Sequence, residues 1–189
     1  EQLVKLGSVG REWAGSGAIR LLDEQRREVA DGEVGELYSR TAYVFDGYWR
    51  NPDKTAEAFD GAWCSVGDMA RRDVDGYIWL VDRKSNMIIS GGENIYPTEV
   101  EGVLGAHPAV RDCAAIGVPH EKWGETVHAV VVLHAGQSAD ETALRQWCRE
   151  RLAGYKCPSA VSFIDDADMP RTATGKIQHR LLRERFLER

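Results

Sequence analysis

The segment from Asp82 to Glu101, which reads D-R-K-S-N-M-I-I-S-G-G-E-N-I-Y-P-T-E-V-E, constrains the possible fold more than any other part of the chain. Its first five residues are all polar or charged, so they cannot lie in a hydrophobic core. Met87, Ile88 and Ile89 follow directly and can form a short buried strand. This change predicts a joint between two folded bodies, with residues 83–86 as the hinge.

The two sides of this joint have different sequence patterns. Residues 1–82 hold short alternating segments separated by polar turns, among them a predicted strand at Leu3–Val9 and a hairpin around Asp73–Gly76. Residues 87–189 alternate helical and strand-like segments over about 100 residues, which is a common size for one domain. The chain is therefore predicted to be an α+β protein with two domains.

The second body contains clear start and stop signals. Pro97 at a first helical position predicts a helix that runs to Leu104, and the capping box Ser138–Glu141 predicts another helix that ends at Gly154. Residues 119–125 are predicted to form a polar loop. Three strands are also predicted, at Val110–Val118, Thr126–Leu133 and Val161–Ile164.

Length and composition exclude several classes of protein. With 189 residues, of which 43% are hydrophobic, the chain can bury a core. No apolar run is long enough to cross a bilayer. The four cysteines follow no metal-binding spacing, which favours free thiols in a reducing cytoplasm. The chain opens without an initiator Met or a secretory signal, which indicates a piece of a longer protein.

The net charge of −6 argues against a nucleic-acid partner, but the charge is unevenly distributed. Residues 145–189 hold 10 Lys or Arg against 6 Asp or Glu, which gives this region a charge of +4. A basic region on an acidic body suits the binding of a small polyanion. A solvated basic helix face explains the same pattern equally well.

Three segments carry a resemblance to the adenylate-forming acyl-CoA synthetases. They are the joint segment itself, G-E-L…G-Y-W over residues 35–49, and P-R-T-A-T-G-K over residues 170–176. The resemblance covers essentially the whole chain, but only the C-terminal portion of such an enzyme. It implies that residues 1–82 are an antiparallel, β-barrel-like remnant of a large N-terminal domain and that residues 87–189 are a small α+β lid domain.

The resemblance implies a nucleotide site near the hairpin and the hinge. Asp68, within W-C-S-V-G-D, matches an aspartate that accepts hydrogen bonds from both ribose hydroxyls of ATP, and a carboxylate has the two acceptor oxygens this requires. Without that flanking pattern, Asp68 would be interpreted as a turn or edge residue. Arg83 matches an arginine that also reaches the ribose. Ser85 occupies the pivot position, where the family usually has Asp or Lys, so the identity of the pivot residue stays open.

The resemblance also implies a CoA site, formed by Gly91, Gly92, Trp123, Tyr155 and Lys156. Because glycine has no side chain, a ligand can lie directly against the main chain at this pair. A glycine pair is also the ordinary signal for a tight turn. Trp123 is alternatively a packing anchor, which is the commoner role of tryptophan.

Lys176 is the implied catalytic residue. A Walker A phosphate loop would need Gly instead of Pro170 and Ser or Thr instead of Ile177, so that interpretation fails. In the resembling family the matching lysine bridges the substrate carboxylate and the α-phosphate of ATP, where a compact cation lowers the repulsion between two anions. A lysine in a loop rich in Gly and Thr is otherwise ordinary surface charge.

The implied function is the ATP-dependent ligation of a small-molecule carboxylic acid to CoA through an acyl-adenylate, as in fatty-acid and aryl-CoA ligases. ATP, AMP, CoA and Mg²⁺ would be the ligands, with the Mg²⁺ ligand upstream of this chain and no metal site within it. The family's phosphate loop and acyl pocket also lie upstream, so the chain alone is expected to be inactive. An amino-acid-activating adenylation domain and a non-catalytic CoA- or nucleotide-binding module are the alternatives. The sequence identifies neither the acid nor the oligomeric state.

Overall fold

The computed structural model describes residues 5–13 and 15–187. Contacts between Cα atoms divide the chain into two compact units, and the division lies between Ser85 and Asn86. The described residues form ten strands, β1–β10, and four helices, α1–α4. None of these helices is long and apolar enough to span a membrane.

The first unit is built on one antiparallel sheet with β4 at its centre. β2 pairs with one edge of β4, and β3 and β5 share the other edge, while β1 pairs with the outer edge of β2. Leu21, Ala70 and Ile78 form its buried core. The elements are β1 (Ala18–Leu22), β2 (Val34–Arg40), α1 (Pro52–Ala58), β3 (Phe59–Asp60), β4 (Trp63–Arg72) and β5 (Ile78–Arg83).

The hairpin predicted around Asp73–Gly76 is confirmed. The Asp73 carboxylate accepts hydrogen bonds from the backbone N–H groups of Asp75 and Tyr77, both at 3.0 Å, and from Trp79 Nε1 at 3.2 Å. Lys5 Nζ lies 2.8 Å from the same carboxylate. These donors stabilise its charged form, and the hydrogen bond from Lys5, the largest effect, helps to hold the pKa of Asp73 well below its usual value.

The predicted strand at Leu3–Val9 is wrong over its described part, and Leu3 and Val4 lie outside the described residues. Residues 5–9 form a bend and a turn, closed by the N–H of Ser8, which donates to the Lys5 carbonyl at 3.1 Å. Gly7 has a φ of +92°, a conformation that does not continue a strand. The chain reaches the sheet only at Gly10, which forms an isolated bridge with Ile78.

The second unit is built on a sheet with β9 at its centre. β8 pairs with one edge of β9 and is antiparallel to it. Two strands share the other edge. β10 is parallel to β9, and β6 is antiparallel and pairs with β9 at one position only. β7 pairs with β6. The strands are β6 (Ile88–Ser90), β7 (Glu93–Ile95), β8 (Val110–His120), β9 (Gly124–Leu133) and β10 (Ala160–Phe163).

Helices cover both faces of this sheet. Val127, Ala129 and Val131 point to the face covered by α2 (Pro97–Gly105) and α3 (Glu141–Arg149). Val130 and Val132 alternate with them and pack with Leu182 of α4 (His179–Leu187) on the opposite face. The α+β fold class predicted from the sequence is confirmed.

Three predictions in this unit are wrong. α3 begins after Asp140, whose carboxylate accepts from the N–H of Ala143 at 2.7 Å, so Asp140 rather than Ser138 is the N-cap. The helix ends at Arg149, well before Gly154. The predicted polar loop at residues 119–125 is mostly strand, because β8 and β9 extend toward each other and leave only residues 121–123 as a turn.

The burial of the cysteines leads to a first prediction. Burial raises the pKa of Cys113 to about 12 and the pKa of Cys148 to about 11, and Cys64 is also buried. Because thiolates react and buried thiols do not, Ellman's reagent at pH 8 is expected to modify only Cys157, which is partly exposed. All four thiols should react in guanidinium, and peptide mass spectrometry identifies the modified residue. Rapid native labelling of a second cysteine would contradict the burial pattern.

Candidate functional site

Asp68 and Arg83, the two predicted ribose-binding residues, are opposite each other on β4 and β5. Arg83 Nε lies 2.7 Å from Asp68 Oδ1, and Arg83 also donates to the Val66 carbonyl at 3.4 Å. The Asp68 side chain is 24% exposed and that of Arg83 is 59% exposed. The pair is therefore preassembled at the surface, with the carboxylate oriented by the arginine.

The next residues along the chain are tied back to the same sheet. Lys84 Nζ lies 2.7 Å from Glu36, whose other oxygen accepts from Ser65 Oγ at 2.7 Å. Burial alone would raise the pKa of Glu36, but the hydrogen bonds from Lys84 and Ser65 outweigh it and hold the pKa below its usual value. Ser85, the predicted pivot, is exposed within a short 3₁₀ turn over Lys84–Asn86.

Gly91 and Gly92 form the two-residue turn between β6 and β7, with φ angles of +61° and +88°. Positive φ at both positions is typical of a type I′ hairpin turn, which favours glycine. The N–H of Gly91 donates to the Trp123 carbonyl at 2.8 Å. A Cβ on Gly91 would lie 2.9 Å from the Trp123 ring. The glycine thus permits both the turn and close contact with the indole.

A cleft of 440 Å³ brings three of the five predicted CoA-binding residues together. Gly91, Trp123 and Tyr155 line it, and both aromatic side chains are 46% exposed. Arg145 and Arg149 of α3 line the same cleft. Of the described lining residues, only Glu93 is acidic. The cleft therefore combines two aromatic side chains with two cations.

The two arginines differ in how they are held. Arg145 Nε donates to the Pro158 carbonyl at 3.1 Å, and Arg145 also pairs with Glu141 at 3.3 Å. Arg149 is exposed, and its side chain makes no ion pair or hydrogen bond with any residue that the structure describes. Arg149 can therefore pair with an anion in the cleft without first breaking an existing contact.

Gly92 and Lys156, the other two predicted CoA-binding residues, are not among the lining residues of this cleft. Lys156 Nζ lies 2.7 and 2.8 Å from the two carboxylate oxygens of Glu99 on α2. That hydrogen bond raises the pKa of Lys156 above its usual value. Lys156 therefore has an existing partner with which any anionic ligand would compete.

Lys176 lies on a short, hydrogen-bonded loop. Arg171 and Ile177 form a bridge, the N–H of Thr172 donates to the Lys176 carbonyl at 2.8 Å, and Gly175 has a φ of +85°. A three-residue hairpin loop with a left-handed glycine has this pattern. The Lys176 side chain is exposed, and its ammonium forms no ion pair with any described residue.

Comparisons with known proteins identify the family. Residues 99–176 match the family described as AMP-binding enzyme C-terminal domain. The chain is 44% identical over 181 residues to 2-succinylbenzoate–CoA ligase of Geobacillus kaustophilus, which covers 96% of this chain and 36% of the relative. The structure of ATP-bound MatB from Rhodopseudomonas palustris matches with a TM-score of 0.87 and 37% identity over 95% of this chain and 36% of that chain. Residues 99–176 thus carry the AMP-binding enzyme C-terminal domain, and nearly the whole chain is similar to adenylate-forming ligases.

A further solved structure supports this assignment. The o-succinylbenzoate CoA synthetase MenE from Bacillus subtilis, in complex with its acyl-adenylate intermediate, matches with a TM-score of 0.83 and 36% identity over 96% of this chain and 36% of that chain. The chain spans about a third of the length of the relatives that it matches.

Several contacts near the candidate site were not predicted from the sequence. Arg171, beside the Lys176 loop, makes a close ion pair with Asp112 on β8 and a longer one of 3.3 Å with Asp166. The pairing partner of Arg171 is 59 residues away, so no local pattern indicates it. In the sequence, Arg145 and Arg149 are distinguished only as members of the basic region at residues 145–189. Within residues 5–13 and 15–187, no group of three or more His, Cys, Asp or Glu is placed to hold a metal ion.

The contact between Gly91 and Trp123 yields a second prediction. Ala at position 91 has to adopt a left-handed φ, which costs about 1 kcal/mol, and its Cβ meets the indole, which adds about 1–3 kcal/mol of overpacking. Gly92→Ala is the matched control, because its φ is also positive but nothing lies within 4 Å of the added Cβ. Thermal unfolding should therefore rank Gly91→Ala clearly below Gly92→Ala, and equal stability of the two variants would contradict the packing.

Proposed function

We propose that the full-length protein is an ATP-dependent ligase that joins a carboxylic acid to CoA through an acyl-adenylate. The observation that carries this proposal is the cleft lined by Trp123, Tyr155, Arg145 and Arg149. CoA has phosphate groups that pair with guanidinium groups and an adenine ring that stacks on aromatic side chains. The names of two relatives described above, a 2-succinylbenzoate–CoA ligase and an o-succinylbenzoate CoA synthetase, support the same reaction class.

The first half-reaction would join the acid to the α-phosphate of ATP and release pyrophosphate. Asp68, oriented by Arg83, would accept hydrogen bonds from the ribose hydroxyls, since its second carboxylate oxygen faces no hydrogen-bond donor among the described residues. Lys176 would lie between the attacking carboxylate and the phosphate, where its charge stabilises the developing negative charge. Mg²⁺ would accompany ATP, with protein ligands outside this chain.

In the second half-reaction the CoA thiol would attack the acyl-adenylate and displace AMP. Gly91 and Gly92 would line the path of the pantetheine arm, because backbone without side chains leaves room for it. Trp123, Tyr155 and Lys156 would lie near the CoA nucleotide. We propose that residues 83–86 act as the hinge between the two catalytic states, with Ser85 as the pivot, and that the movement takes place on the μs–ms scale usual for such changes.

A cytoplasmic location of the full-length protein also stays a prediction.

Two alternatives differ in what they predict for the full-length protein. An amino-acid-activating domain would show pyrophosphate exchange with an amino acid rather than with an aliphatic or aromatic acid. A non-catalytic module would bind CoA or nucleotide and show exchange with no acid. The same exchange assay, run over a panel of carboxylic and amino acids, therefore separates all three.

The role of Lys176 gives a third prediction. Lys176→Ala in the full-length protein should lower ATP–pyrophosphate exchange by about two orders of magnitude, since it removes a charge that stabilises the transition state. Lys122→Ala is the control, because Lys122 is an exposed lysine of the β8–β9 turn and should leave exchange unchanged. Equal exchange in the wild-type protein and the Lys176 variant would exclude the catalytic role.

The role of Arg149 gives a fourth prediction. Arg149→Gln should raise the KM for CoA by about 10- to 100-fold, the expected loss for one charge-assisted hydrogen bond. The KM for pantetheine should not change, because pantetheine lacks the nucleotide and its phosphates. Arg151→Gln is the control, since Arg151 stacks on Trp147 at 3.4 Å and does not line the cleft. Loss of affinity for pantetheine as well would mean that Arg149 supports the fold of the cleft rather than binding the nucleotide.

A further inference from the structure

The hairpin that carries the glycine turn has a narrow attachment to the central strand of its unit. β6 pairs with β9 only through Ser90 and Gly124, and the N–H of Gly91 adds one bond to the Trp123 carbonyl. The next backbone donor on this edge, the N–H of Ile89, donates instead to Glu125 Oε2 at 3.1 Å. A side-chain carboxylate thus continues the attachment where the backbone ladder ends.

The other oxygen of the same carboxylate is bound by α4. Its Oε1 makes a close ion pair with Arg183, and the Glu125 side chain is only 21% exposed. The Nε of Arg183 is buried and has no hydrogen-bond partner among the described residues. Glu125 is thus the acidic partner of this arginine and connects the glycine hairpin to the helix that begins three residues after Lys176.

The neighbouring strand leaves space for this carboxylate. A Cβ added to Gly117 on β8 would lie 2.9 Å from Glu125 Oε2, and the three nearest atoms to that Cβ all belong to Glu125. Gly117 does not have a left-handed φ, so alanine fits its backbone conformation. The only obstacle to a side chain at position 117 among the described residues is therefore the Glu125 carboxylate.

We propose that Glu125 is a positioning residue for thioester formation, one that fixes the Gly91–Gly92 turn through the N–H of Ile89 while Arg183 holds its carboxylate in place. This inference rests on the proposed function, in which that turn lines the path of the pantetheine arm. Glu125 contacts neither substrate in this scheme. It acts through the turn, and a shift of the turn by about 1 Å is enough to lower the rate of a step that depends on its position.

The test uses the full-length protein with Glu125→Ala, Gly117→Ala and the double variant. Both single variants should lower the rate of acyl transfer from preformed acyl-adenylate to CoA by about tenfold and leave ATP–pyrophosphate exchange within about twofold. The double variant should be no slower than Glu125→Ala, because the carboxylate that a methyl group at position 117 would displace is already absent. Glu121→Ala, an exposed glutamate in the same β8–β9 turn, is the control and should match the wild-type protein.

Hydrogen exchange gives a readout that does not depend on activity. Amides of the peptide that covers residues 86–95 should exchange about tenfold faster in Glu125→Ala, while peptides from β8 and α2 keep their wild-type rates. Unchanged exchange in this peptide, an equal loss of both half-reactions, or additive effects in the double variant would overturn the proposal. If the wild-type protein ligates no acid to CoA, the proposed function fails. The hydrogen-exchange experiment still decides in that case whether Glu125 orders the turn.

Discussion

The second unit depends on one strand that is hydrogen-bonded on both edges and covered on both faces. Such a strand has no solvent-facing side, so its middle has to be apolar in every direction. Residues 127 and 129–132 of β9 meet this requirement, since each is at most 3% exposed. The polar side chains of the strand are Glu125 and Thr126 at its start and His128, whose Nε2 pairs with Ser162 Oγ at 2.9 Å. The candidate CoA cleft lies at this end, where the core stops and the backbone can still position side chains.

The placement of charge explains how a chain with a net charge of −6 can offer a site for a polyanion. Most cations of the second unit are already paired, as Lys156 is with Glu99 and Arg171 is with Asp112. Arg149 and Lys176 make no ion pair with any described residue, and both are exposed. A cation that is already paired stabilises the fold. It can bind an anionic ligand only if the ligand displaces the carboxylate with which it is paired. Arg149 and Lys176 are the cations that the proposed function assigns to phosphate groups.

The elements that sequence reasoning predicted correctly have causes that act within a few residues. Pro97 begins a helix because its ring fixes φ, and the glycine pair makes a turn because it tolerates positive φ. The errors occurred where two local signals compete. Ser138 and Asp140 are both good capping residues, and the helix begins after Asp140, whose carboxylate accepts from the N–H of Ala143. Leu3–Val9 has strand-like alternation, but Gly7 interrupts it.

The parts of the candidate site that could not be predicted depend on contacts between distant residues. Glu125 and Arg183 are 58 residues apart, and each alone is an ordinary surface residue in the sequence. Similarity to a family assigns roles only to residues within the family's motifs. It assigns none to residues outside the motifs that hold the motif residues in position. The partners of Glu36 and Arg171 were missed for the same reason. Pairings of this kind follow from sheet register and helix packing, which no local pattern encodes.

The loop of Lys176 bears on how the two proposed half-reactions can share one domain. Hydrogen bonds between Thr172 and Lys176 close the base of the loop, and Arg171 fixes it to Asp112 on β8, while the lysine ammonium stays free of ion pairs with described residues. A loop closed in this way cannot move the lysine far without breaking several bonds. If Lys176 leaves the adenylate between the half-reactions, its loop therefore has to move together with its domain. In the proposed scheme this movement would fall to the predicted hinge at residues 83–86, whose residues are all polar or charged.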